Sequence, residues 1–319
     1  VGVSDGAAGS ALAINSGFTE SAEVTMVIST TEGLLAAYLV QGSAAAVNPT
    51  FSWTGSAEAA ATIAVFAPPV SFAAESEAIF AEFSTPPTLA RKVAINTCVE
   101  ALIDAGIWAK LDCLYLFAAA DSQAAKVNWI DPGGSFDATA VNSPTFTADR
   151  GFTGNGTNSY LNTNFRPSTA GGVFVQDSGH LSVWPLTNIQ EASADIACND
   201  SGGNDSGIFP RSGSDEFFFG INDGFNHSVS NTDSRGHFVV SRTGASALEA
   251  YRNGASLSTQ SVSSTGLGDA SVAVCARDIG FQMSTRQEAA ASIGAGLSDQ
   301  EVSDLYDALH TYLTAVGAV

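Results

Sequence analysis

From Trp129 onward, turn signals interrupt the chain so often that no long helix fits before about residue 299. They are Asp131-Pro-Gly-Gly134, Asn142-Ser-Pro144, Gly154-Asn-Gly156, Gly171-Gly172, Gly202-Gly203, Asn222-Asp-Gly224 and Asn253-Gly254. Between them lie runs of strand length: Gly172–Gln176, Leu181–Trp184, Glu216–Ile221, His237–Arg242, Ala247–Tyr251 and Ser271–Ala276. Short strands at this spacing predict a mainly β unit of two stacked antiparallel sheets. Asn253-Gly254 supplies the two positive-φ positions of a type I′ hairpin turn. Ser298 and Glu301 form a capping box, with Leu297 and Val302 as the hydrophobic staple across it. A helix over Asp299–Ala315 follows, with Val302, Leu305, Tyr306, Leu309 and Leu313 on one face.

Charge divides the chain. It carries 32 acidic and 12 basic residues, a formal charge of −20. Residues 1–90 contain no Lys or Arg, and Lys92, Lys110 and Lys126 cluster just beyond. Such a surface repels nucleic acid and anionic membranes, so neither nucleic-acid binding nor membrane insertion is expected. No apolar run is long enough to span a bilayer. The chain begins at Val1 rather than Met, as expected of a processed, trimmed or incompletely observed sequence. Residues 1–70 read as a small acidic β unit, with strands at Glu23–Ser29, Leu34–Val40 and Thr62–Phe66 and an edge strand at Thr50–Gly55. So short a piece has little core of its own and is expected to serve attachment or homo-oligomerisation. Residues 71–128 read as a linker and helical connector. A helix begins after Pro86-Pro87 at Leu89 and exits at Gly106, a buried connector follows from Trp108 to Leu116, and Asp121 caps a short helix. Residues 129–319 form the β-rich unit.

The strand–Asn-Gly–strand hairpin and the Leu-Ser-x-x-Glu-Val-x-x-Leu-Tyr helix together resemble the closing section of concanavalin A-like (laminin G-like) lectin domains. Val99 to Trp129 and Phe146-Thr-Ala-Asp-Arg-Gly-Phe-Thr-Gly-Asn-Gly-Thr-Asn-Ser-Tyr-Leu161 are similar to tail, fibre and head-spike proteins of bacteriophages and gene transfer agents. The resemblance covers about residues 86–319. It implies a concanavalin A-like jelly-roll lectin domain over 129–319 in a non-enzymatic protein on the surface of a virion or similar extracellular particle. Its partners would be other virion subunits and host-surface polysaccharide. Two alternatives stand beside this reading: a secreted polysaccharide-degrading enzyme on the same fold, and a purely structural assembly or decoration protein.

The residues themselves offer two candidate sites. Arg211, Asn222, Asp223, Phe225, Asn226, His227 and Asn231 combine an aromatic face with amide, carboxylate and guanidinium groups, the mixture that recognises sugar rings. Asn199, Asp200, Asn204 and Asp205 bring oxygen ligands to a glycine-rich loop, which suits calcium. Asp215-Glu216 is the one adjacent acidic pair of the β-rich region, and alternation along a strand would point its two side chains to opposite faces. The Glu-x-Asp-x-x-Glu string common in glucanases of this fold is absent, and His180, His227, His237 and His310 are scattered. Cys98, Cys113, Cys198 and Cys275 lack metal-ligand spacing and read as buried thiols. Cys98–Cys113 and Cys198–Cys275 disulfides stay open at this point. In Phe217-Phe-Phe219, an alternating strand must turn at least one ring outward, which asks for a covered outer face.

Overall fold

The structure, a computed structural model, describes residues 2–5, 12–14, 19–27, 31–38, 51–53, 59–61, 70–199, 202–224, 226–277 and 281–319. The chain divides into two compact units, Val1–Val70 and Ser71–Val319. In the first, β1 (Gly2–Asp5), β3 (Thr19–Val27), β4 (Thr31–Tyr38) and β6 (Ala59–Ala61) form an antiparallel sheet in the order β3-β4-β1-β6, and β2 (Leu12–Ile14) pairs with β5 (Phe51–Trp53). The strand expected at Thr62–Phe66 lies outside the described residues.

The second unit begins with two helices, α1 (Ala74–Glu82) and α2 (Leu89–Asp104). Then come β7 (Leu111–Leu116), β8 (Thr139–Val141), β9 (Thr145–Thr147), β10 (Gly151–Thr153), β11 (Tyr160–Asn162), the single turn α3 (Pro167–Ala170) and β12 (Gly179–Pro185). The chain continues through β13 (Ile196–Cys198), β14 (Ser206–Phe209), β15 (Glu216–Gly220), β16 (His227–Ser230), β17 (Phe238–Gly244), β18 (Ala247–Arg252) and β19 (Ala255–Ser261). It ends with β20 (Ala273–Val274), β21 (Gln287–Gly294) and α4 (Asp299–Ala315). An eight-stranded sheet runs β19-β18-β17-β12-β21-β10-β9, with β7 also paired to β21, and a seven-stranded sheet runs β16-β15-β14-β13-β20-β11-β8.

Three layers result. Along β7, Cys113 and Tyr115 enter the core between the sheets, while Leu114 and Leu116 turn the other way onto the helices. Along β17, Phe238 and Val240 point inward and Val239 outward. This two-sided burial is why the eight-stranded sheet has few alternating polar positions. Ile95, Val99 and Leu102 of α2 and Val302, Leu305, Leu309 and Leu313 of α4 cover its outer face. The capping box is present, Ser298 N donating to Glu301 Oε2 at 2.9 Å. At the β18–β19 turn Asn253 and Gly254 take φ of 51° and 78°, as the hairpin requires. All four cysteines are buried and free, and burial pushes the Cys98 and Cys113 thiols up to about 12.

Two expectations need correction here. The concanavalin A-like jelly roll over 129–319 gives way to two antiparallel sheets over 71–319. The physical reason is β7: residues 111–116, expected as a connector, pair with β21 from Leu116↔Ala290 to Leu111↔Gly294 and form part of the sheet. The stretch 71–128 is therefore packed into the second unit, and its helices form the third layer.

His180 and His237 are wholly buried in the eight-stranded sheet. His180 Nδ1 lies 2.6 Å from the Ala295 carbonyl and Nε2 2.9 Å from Ser292 Oγ. His237 stacks on Trp184 at 5.3 Å, and neither of its nitrogens has a hydrogen-bond partner. Burial holds the His180 pKa down at about 4 and that of His237 at about 3, the neighbouring His180 adding to the latter. The unfolded chain takes up protons at these rings near pH 6.5, and the folded chain only at the lower values. Stability from this source is therefore full above pH 6.5 and falls as the pH drops toward 4, by up to about 1.4 kcal/mol per pH unit per histidine. Urea unfolding of His237→Phe should show a smaller loss between pH 7 and pH 4 than the unsubstituted protein. Equal losses would contradict the account.

Candidate functional site

At one end of the sheets, the loop between β12 and β13 folds around the guanidinium of Arg286, which has no solvent exposure. Arg286 Nε and Nη2 donate to the Ile189 carbonyl at 3.0 and 2.9 Å, and Nη2 also reaches the carbonyls of Glu191 at 3.1 Å and Arg211 at 2.6 Å. Nη1 meets Asp195 Oδ1 at 2.8 Å. A buried cation is costly unless every donor is met, and here backbone carbonyls do most of that work. Asp195 stands beside β13 and Glu288 on β21, so the two carboxyls face each other from opposite sheets. Burial pushes both up, most strongly Glu288, on which the Asp195 charge acts as well. Neither Glu288 oxygen has a donor. Glu288 is accordingly the neutral member, and Asp195 carries the charge that Arg286 meets.

This cage fixes the surface above it. Arg211, whose carbonyl Arg286 holds, sends Nε to Asp215 Oδ1 at 2.6 Å and Nη1 to Asn188 Oδ1 at 2.9 Å. Gln190 Nε2 reaches the same Asp215 oxygen at 3.0 Å. Asn231 Nδ2 ties the Pro210 carbonyl at 2.6 Å, and its Oδ1 accepts from Arg252 Nη1 at 3.1 Å. Asp215 precedes β15 in the left-handed region, φ 60°, so strand alternation does not govern its side chain. Glu216 begins β15 and receives only hydroxyls, Ser214 Oγ at 2.8 Å and Ser228 Oγ at 3.0 Å. The pairing of Glu216 with Ser230 and of Phe218 with Ser228 sets all four on the outer face of the seven-stranded sheet. Phe217 and Phe219 enter the core, whereas Phe218 is half-buried against Ala194, Ala197 and Phe209. The outcome is a surface with an aromatic ring, two partly exposed carboxylates, a guanidinium and several hydroxyls.

The sugar-site residues expected from the sequence do not form one site. Arg211 belongs to this surface, and Asn231 lies buried beneath it. Asn222, Asp223, Asn226 and His227 sit at the opposite end of the β15–β16 hairpin, about 15 Å away along the strand, and Phe225 lies outside the described residues. Asn222 is buried, with its backbone N–H bonded to Ser206 Oγ and Nδ2 to the Gln176 carbonyl. The Asp223 carboxylate is buried in an ion pair with Arg242 at 2.9 Å, with His227 Nε2 at 3.5 Å. Sequence reasoning missed Gln190, Asn188 and Phe218 as members, and the chain separation of 188–190 from 211–218 gave no signal. Of the calcium candidates, Asp200 lies outside the described residues and Asp205 is ion-paired with Arg277 at 3.0 Å. Among the described residues, no group of three or more His, Cys, Asp or Glu stands where it could hold a metal ion. No helix among them is long and apolar enough to cross a membrane.

No family model and no curated protein matches the sequence. Among solved structures, a Trypanosoma rangeli sialidase mutant displaying trans-sialidase activity superimposes with TM-score 0.44 at 13% identity, over 68% of this chain and 39% of that one. The binding domain of botulinum neurotoxin serotype D gives 0.44 at 12%, over 63% and 52%. Domain 4 of AbnA, an extracellular arabinanase from Geobacillus stearothermophilus in complex with arabinotriose, gives 0.38 at 17%, over 61% and 98%. This chain thus spans well under two thirds of the first two. Neither a phage tail, fibre or head-spike protein nor a concanavalin A-like lectin is named among these three. The expectations of a virion attachment protein and of a lectin jelly roll are corrected accordingly. The expectation of a non-enzymatic chain likewise finds no support, and two of the three structures carry the names of carbohydrate-active enzymes. Superpositions this loose supply no residue correspondences, so the chemistry of this chain rests on its own side chains.

Arg286→Met should cost about 3–5 kcal/mol in urea unfolding, because it strands the Asp195 charge and several buried carbonyls. Arg211→Ala, at a partly exposed pair, should cost about 1 kcal/mol or less. Similar small losses for both would contradict the cage.

Proposed function

We propose that the second unit cleaves glycosidic bonds of a polysaccharide at the surface formed by Arg211, Asp215, Glu216 and Phe218. The observation that carries this reading is the unlike setting of two neighbouring carboxyls. Asp215 is held by a guanidinium and an amide donor, while Glu216 meets only hydroxyls. Glycoside hydrolysis needs one carboxyl as acid and one carboxylate as base or nucleophile, and unlike environments separate the two roles. Glu216 in its acid form gives its proton to the glycosidic oxygen as the bond to the anomeric carbon breaks. Asp215 takes a proton from the water that attacks that carbon. Arg211 and Gln190 hold Asp215 in orientation through hydrogen bonds to its Oδ1. Phe218 offers an apolar face to a sugar ring, and Ser214 and Ser228 offer hydroxyls to its edge.

The formal charge of −20 favours a neutral or basic polysaccharide over an anionic one. A polymeric substrate of this kind supports an extracellular location. Reducing-end release from a panel of neutral polysaccharides tests the reading. Activity should fall at least about 100-fold in both Asp215→Asn and Glu216→Gln, with circular dichroism and melting unchanged in the latter. A panel without any product, or full activity in Glu216→Gln, would overturn it.

A further inference from the structure

On the helical side of the second unit, remote from Glu216, residues 83–88 and 119–124 enclose, with α2 and Tyr312 of α4, a cavity of about 170 Å³. Its inner wall is Ile95, Leu116, Trp129 and Tyr312, all buried, and exposed Ala120 stands at its mouth. Trp129 and Tyr312 meet edge to face at 5.4 Å, which fixes both rings. A dry cavity of roughly 150 Å³ holds a benzene-sized ring. Thr85, Thr88, Arg91 and Asp121 add polar groups to the lining. Arg91 donates Nη1 to Tyr312 Oη at 3.3 Å and Nη2 to Asp149. Two of its five N–H groups are thereby used, and the others have no protein partner among the described residues. The Tyr312 hydroxyl is occupied, since it donates to the Ala118 carbonyl at 3.0 Å. Asp149 already meets the Arg91 charge, and Asp121 also lines the cavity. The polar end therefore has donors to spare but no net positive charge.

We infer that this cavity is a binding site for a small neutral molecule: one aromatic ring carrying a carbonyl or amide oxygen. The ring lies against Trp129 and Tyr312, and the oxygen accepts from a free N–H of Arg91. A carboxylate in place of the neutral oxygen would face Asp121 and Asp149 and bind less well. The site differs in chemistry and place from the carboxylate surface, and its occupancy does not depend on glycoside cleavage.

Benzamide, benzoate and toluene, titrated into the full chain with ligand-observed NMR, test the assignment. Benzamide should bind, and benzoate at least tenfold more weakly. Ala120→Phe closes the mouth from an exposed position and should weaken benzamide at least tenfold without changing the melting temperature. Arg91→Met keeps the aliphatic stem and should weaken benzamide, but not toluene, by about tenfold. No benzamide binding at millimolar concentration would overturn the proposal. So would binding that survives Ala120→Phe, or equal affinity for benzoate.

Discussion

Arg286 is a buried cation whose partners come from two separate stretches of chain, 189–195 and Arg211, and the candidate surface exists because of it. Its guanidinium collects the carbonyls of Ile189, Glu191 and Arg211 and the carboxylate of Asp195. Ion pairs of this kind add little to stability by themselves, because desolvation cancels much of the attraction. Their effect is geometric. Backbone that would otherwise wander over the end of the sheets is pinned to a single point, and the Arg211 side chain is thereby aimed at Asp215. Neutral Glu288, facing Asp195 across the inter-sheet space, spares the core a second negative charge.

The two sheets have different outer faces, and the division of labour follows from that. The eight-stranded sheet is covered by α1, α2 and α4, so its central strands β7, β12, β17 and β21 are buried on both faces, and the one cavity argued for there is small and closed around aromatic rings. Phe218, Glu216 and Ser228 remain at least partly open on the outside of the seven-stranded sheet. A chain-like substrate needs an open surface, whereas a single small ring suits the enclosed pocket.

Much of the local structure was legible. The capped α4, the Asn253-Gly254 hairpin and the start of α2 at Leu89 follow from backbone preferences of a few adjacent residues, and those preferences survive folding. The strand β21 was not legible. Its Ala-Ala-Ala core, Ala289 to Ala291, lacks the β-branched residues that mark strands, although both of its edges are paired, by β12 on one side and β7 and β10 on the other. Likewise Leu111–Leu116 is apolar apart from Asp112, as suits a strand buried on both faces, and periodicity cannot separate that from a connector. The candidate site was half legible. Arg211 showed itself by composition, but the Asp215-Glu216 pair was set aside on strand alternation, which the left-handed Asp215 escapes. Asn222 and Asp223 have the composition of a sugar site but spend their polar groups on Ser206, the Gln176 carbonyl and Arg242. Composition does not tell an outward amide from a buried one.

The central claim is that sugar lies on Phe218 with its glycosidic oxygen beside Glu216. The most direct measurement is a crystal structure of the Glu216→Gln variant soaked with an oligosaccharide of a neutral polysaccharide from the reducing-end panel. The account predicts one sugar ring over Phe218 and the scissile oxygen within hydrogen-bond reach of position 216, with Asp215 on the opposite side of the anomeric carbon. Sugar bound instead at Asn226 and His227, on the far end of the hairpin, would contradict it.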